Sequence, residues 1–127
     1  MRFYCTDDTV DLEQYPYHVR DVHISDPFIL ADPKSRCYYT YVQFADIERF
    51  PDVETDKEHG VFYVLESKDL IHWSKPQICF RQNNFWADKD YWAPEVHIWK
   101  GRYYLFSSFR ADGHYRKCQC LVSDSPK

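Results

Sequence analysis

At 127 residues the chain has the length of one ordinary domain, enough to bury a core. Its 16 Lys+Arg stand against 20 Asp+Glu for a formal net charge of -4. No basic stripe of the kind that phosphate contacts require is present, which argues against a nucleic-acid partner. No apolar run reaches the length of a membrane span and the first residues lack an apolar signal core, so the expectation is a cytoplasmic chain without a membrane partner.

Aromatic residues make up 19% of the chain, with eleven Tyr, a composition that favours pleated strands. The five cysteines are an odd number. Cys118-Gln119-Cys120 would put two thiols on one face of a strand, but there is no C-x-x-C pair and the six His are scattered. We read the cysteines as reduced and expect no metal site and no cofactor.

In chain order, residues 1–22 form a lead-in segment in which Tyr15-Pro16-Tyr17 disfavours a long helix or a central strand. The apolar run 22–31 reaches Asp26-Pro27, and Asp32-Pro33-Lys34-Ser35 then turns into residues 37–44, giving strand, turn, strand. Residues 45–59, polar and acidic with Pro51, read as a long surface loop. Gly60 opens a third strand over 61–67. Residues 68–76 read as a turn into a short fourth strand over 77–80.

Residues 83–97 hold four aromatics and three carboxylates, and a hairpin pattern follows through Lys100-Gly101. Aromatic planes beside acids suit a sugar, whose C–H faces stack on rings and whose hydroxyls donate to carboxylates. Taken singly, each ring reads equally as core and each acid as a turn former.

The second half repeats the first. Residues 94–99 match 27–30, residues 102–106 match 37–41, and residues 120–125 match 64–69, at offsets of 67, 65 and 56 residues. A recurring four-stranded unit predicts an all-β fold built as β-propeller blades, with a β-sandwich as the competing fold. The first blade is expected over residues 23–82 and a second, incomplete one over 83–127. Asp112-Gly113 is a tight-hairpin dipeptide.

Asp26-Pro27-Phe28-Ile29-Leu30, Tyr38-Tyr39, Ser67-Lys68-Asp69-Leu70-Ile71-His72-Trp73, Trp92-Ala93-Pro94-Glu95-Val96-His97, Gly101-Arg102-Tyr103-Tyr104 and Ser123-Asp124-Ser125-Pro126 occur in that order. Together they resemble the N-terminal part of a glycoside hydrolase family 43 enzyme, over about residues 22–126. The resemblance implies a five-bladed β-propeller of which this chain supplies roughly the first two blades. It also implies inverting hydrolysis of arabinosyl, xylosyl or galactosyl linkages through three carboxylates, with carbohydrate as the partner.

By that resemblance Asp26 is the general base, while Asp32 in the hairpin turn serves as a control whose substitution should do little. An inverting enzyme sets base and acid about 6.5–9.5 Å apart. The family's general-acid Glu and its pKa-modulating Asp are expected in later blades, beyond Lys127. Glu95 is not the acid and is given a structural or substrate-contact role. Phe85, Trp86, Asp90, Trp92 and Glu95 are the candidate walls of the sugar pocket. Ser25 stands where relatives often carry Arg, leaving Arg20 as a possible source of that charge. As a fragment lacking the acid, the chain is expected to be inactive and to self-associate. Two other readings stay open, a related furanosidase or fructan-acting propeller enzyme and a non-catalytic carbohydrate-binding or interaction module.

Overall fold

The computed structural model describes residues 10–50, 53 and 61–127. Two antiparallel sheets pack face to face. The first has the strand order β1-β5-β4-β3-β2, with β6 also pairing with β4. Its strands are β1 (Tyr17–His18), β2 (Ile29–Asp32), β3 (Cys37–Gln43), β4 (Val61–Ser67), β5 (His72–Trp73) and β6 (Gln77–Arg81). The second has the order β7-β8-β9, from β7 (Lys89–Trp99), β8 (Arg102–Arg110) and β9 (Lys117–Ser123).

The internal repeat is visible in the ladders. Tyr38 pairs with Ala31 and Ser67, and Tyr103 pairs with Ile98 and Ser123, so the sequence offsets reappear residue for residue. Side chains alternate between faces with a period of two, so matching registers place matching faces inward.

β3 and β4 are buried on both faces. One face of the first sheet joins Tyr39, Tyr41, Phe62 and Val64 to Tyr91, Val96, Tyr103, Leu105 and Phe109 of the second sheet. The opposite face buries Val42, Val61, Tyr63, Leu65 and Trp73 with Tyr17, Ile47 and Phe50. Each large apolar side chain removed from water contributes about 1.5–3 kcal/mol, and these two layers hold the fold together. Among the described residues the second sheet is covered mainly on one side. On its other side Trp99, Phe106 and Val122 are exposed.

Several expectations are corrected. Phe44, expected at the end of a strand, and residues 45–47, expected as loop, form a short helix, α1 (Phe44–Ile47), because Ile47 and Phe50 pack under the first sheet. Residues 51, 52 and 54–60, with the Gly60 strand opening, lie outside the described residues. The lead-in contributes an edge strand, with Tyr17 paired to Trp73 and His18 to His72, so the 68–76 turn also contains a strand. The first inner strand starts at Ile29 rather than near Val22. β7 runs back to Lys89, so half of the 83–97 stretch is strand. The Asp112-Gly113 connection is a six-residue loop rather than a two-residue turn. Lys100 and Gly101, at φ +48° and +76°, form the left-handed pair that a tight hairpin requires.

Candidate functional site

β2 and β3 are antiparallel, so the start of β2 and the end of β3 share one end of the first sheet. Asp26 lies there, exposed, in a bend three residues before β2. The residue before it is tied down. Ser25 donates its backbone N–H to Asp46 Oδ2 (3.0 Å) and its hydroxyl to Asp46 Oδ1 (2.6 Å). Asp46, on α1, is 1% exposed and also lies 3.5 Å from the Arg49 guanidinium. On the other side of Asp26, Phe28 packs on His97 of β7 with ring centroids 5.4 Å apart. His97 in turn meets Glu95 across 2.8 Å. Asp26 therefore sits where the first sheet, α1 and the inner strand of the second sheet converge.

At α1 a cleft of about 330 Å³ is lined by Gln43, Phe44, Ala45, Glu48, Asp90, Tyr91 and Trp92. Gln43 Oε1 is buried and has no hydrogen-bond partner among the described residues. Two bulges shape the far wall, where register shifts on either side of Trp92 coincide with φ values of +49° at Asp90 and +51° at Ala93. Left-handed conformations at non-glycine residues persist only where surrounding contacts impose them. Arg116 braces this stretch at Asp90 and Trp92. It donates to the Asp90 carbonyl (2.8 Å) and to Ser108 Oγ (3.0 Å), and its guanidinium lies 3.8 Å from the Trp92 ring centroid. The Asp90 carboxylate is held between Arg110 (3.2 Å) and Arg116 (3.4 Å). Ser107 Oγ donates to the Trp92 carbonyl at 2.6 Å. One face of Trp92 thus rests on Arg116, and the residue remains 46% exposed.

The proposed wall residues divide into separate neighbourhoods. Asp90 and Trp92 line the cleft, and Glu95 faces outward beside His97. Phe85 packs among Phe80, Tyr91 and Phe109, with centroids 5.1–6.1 Å away. Trp86 is half-buried on the β8–β9 hairpin, where its indole N–H donates to Gln119 Oε1 at 2.7 Å. Asp46 and Arg116 were not visible in the sequence, because each acts through a partner distant in the chain. Arg20 packs its guanidinium on the His18 ring rather than on a carboxylate.

Asp32 is no inert control. It is 3% exposed and accepts from the Lys34 and Ser35 backbone N–H groups, from Ser35 Oγ (2.7 Å) and from Tyr103 OH of the second sheet (3.0 Å). Burial pushes its carboxyl up, but the Ser35, Lys34 and Tyr103 hydrogen bonds outweigh that and hold it below the usual carboxylate value. Cys37, Cys79, Cys118 and Cys120 are free thiols. Among the described residues no group of three or more His, Cys, Asp or Glu is arranged to hold a metal ion, and no helix is long and apolar enough to cross a membrane.

The fold and the sequence both have known relatives. The chain superposes on an endo-arabinase from Bacteroides thetaiotaomicron with TM-score 0.70 and 36% identity, covering 88% of this chain and 35% of that one. A thermostable family-43 glycoside hydrolase matches with TM-score 0.59 and 27% identity, covering 81% and 30%. The GH43_1 enzyme from Xanthomonas citri, solved with xylose, shares the fold at TM-score 0.60 and 16% identity, covering 87% and 32%. The chain spans about a third of the length of these enzymes. No curated protein matches it. The all-β architecture and its two sheets are consistent with part of the propeller of such enzymes. The family model described as Glycosyl hydrolases family 43 matches residues 18–127. The chain belongs to family 43 of the glycosyl hydrolases.

Proposed function

We propose that this chain forms the base-bearing part of an inverting glycoside hydrolase that cleaves arabinose-, xylose- or galactose-containing glycans, with Asp26 as general base. The observation that carries the reading is the contrast at Asp26 itself. Its carboxylate is exposed, while its neighbours on both sides are fastened to other elements. A base must reach a water and stay in one place, and this arrangement provides both conditions.

The cleft at α1 supplies recognition. The Asp90 carboxylate is pre-oriented by two arginines, and Trp92 presents a ring. The 36% identical endo-arabinase favours arabinan as the first substrate to try. The general acid, which must protonate the leaving oxygen from the opposite side at about 6.5–9.5 Å from the base, is assigned to the later blades of the family. The reading is tested with an enzyme that carries this sequence together with those blades. Asp26→Asn should abolish most turnover on debranched arabinan, and a variant as active as the parent would overturn the assignment.

The isolated chain should behave differently. It exposes Trp99, Phe106 and Val122 on the outer face of the second sheet, the type of surface that seeks a partner. It should therefore self-associate on size-exclusion chromatography and turn over neither aryl arabinofuranosides nor aryl xylosides. An active monomer of residues 1–127 would place the acid within this chain.

A further inference from the structure

Both polar groups of Ser25 end on a single carboxylate, that of Asp46. β2 begins at Ile29, so its ladder does not reach Asp26, and the bend that carries Asp26 must be held by other means. Asp46 is buried on α1, and a carboxylate in that position is unfavourable unless its lone pairs are filled. Ser25 fills one on each oxygen, and Arg49 lies 3.5 Å from Oδ1. Two bonds from the backbone N–H and the side-chain hydroxyl of one residue fix orientation as well as position. The direction in which the next side chain leaves the backbone is then set by α1.

We propose that Asp46 is a positioning residue for Asp26, acting through Ser25. This rests on the reading of Asp26 as the base. Ser25 and Asp46 form the anchor on one side of Asp26, and the Phe28–His97 contact forms the other. The hydroxyl at position 25 is the required chemistry, so Thr should replace Ser and Ala should not. A purely structural Asp46 would affect melting temperature and leave the balance of kcat and KM alone.

The test measures kcat, KM and Tm on arabino-oligosaccharides for Ser25→Ala, Ser25→Thr, Asp46→Asn and Asp26→Asn, in the enzyme that carries this sequence with the later family blades. Ser25 is exposed, so Ser25→Ala should fold even if Asp46→Asn does not. Ser25→Ala should lower kcat by about 10- to 100-fold with KM nearly unchanged, the size expected of a displacement of about 1 Å in a catalytic group. Ser25→Thr should restore most of that loss, and Asp46→Asn should reproduce it. If Asp26→Asn is inactive while Ser25→Ala keeps parental kcat, or if Ser25→Thr is as impaired as Ser25→Ala, the positioning role is overturned and the base survives. If Asp26→Asn keeps parental activity, the base assignment fails and the positioning role fails with it.

Discussion

Asp26-Pro27 precedes the four-residue strand β2 and Asp32-Pro33 closes it, and the fold treats them in opposite ways. Asp26 is exposed, and only its neighbours are anchored. Asp32 is buried, caps its own hairpin and receives the Tyr103 hydroxyl from the second sheet. A carboxylate whose lone pairs are filled by the protein has no capacity left for a water or a sugar. One with free lone pairs, on a fixed backbone, is available for chemistry. The dipeptide says only that the chain turns. Packing decides which carboxylate is buried and bonded and which is left exposed.

The sharpest way to break this comparison is to remove each carboxylate in turn. Asp26→Asn should lower turnover by about 10²–10⁴-fold while leaving Tm unchanged, checked by steady-state kinetics and calorimetry on one preparation. A large fall in Tm would make Asp26 structural. Asp32→Ala should show the reverse pattern. It strands the Ser35, Lys34 and Tyr103 donors and should cost about 2–3 kcal/mol in denaturant unfolding, with kcat of the molecules that remain folded unchanged. Tyr103→Phe removes one of those donors and keeps the ring in the core, so about 1 kcal/mol is expected. A silent Tyr103→Phe would mean that the two sheets are joined at this corner by packing alone.

The mildest effect should appear in acid. Besides the exposed Asp112, held down by Lys89, three carboxylates sit below their ordinary values, each opposed by burial: Asp32 through Ser35, Lys34 and Tyr103, Glu66 through Lys127 and Tyr15, and Asp69 through His72 and nearby backbone N–H groups. A depressed folded-state pKa means that the unfolded chain binds the proton more readily. The stabilisation is therefore complete above the ordinary carboxylate range and declines as pH falls below about 4 toward the folded values. Unfolding titrations from pH 6 to 2 should show that loss, and Asp32→Ala should flatten part of it. An unchanged slope in the variant would show that Asp32 does not titrate differently on folding.

Much of the strand pattern was legible in the sequence. Strand-forming residues located β3, β4, β6, β8 and β9, and the repeat matched Tyr38 with Tyr103, which hold equivalent places in the two ladders. Those features are local, since a period of two and a turn dipeptide act on neighbouring residues. The site was less legible. The sequence marked Asp26 and the Trp92-Ala93-Pro94-Glu95 run, but it read residues 45–59 as loop and so missed Asp46. It also grouped Phe85 with Trp92, although one is packed against Phe109 and the other lines the cleft. Edge strand β1 was missed for the same reason as Asp46, since its pairing partner lies more than fifty residues away. By itself the sequence determined most of the long strands, the repeat between the two halves and the turn that carries Asp26. Only the tertiary structure decided which acids are buried and bonded, because that depends on which distant backbone and side chains close over them.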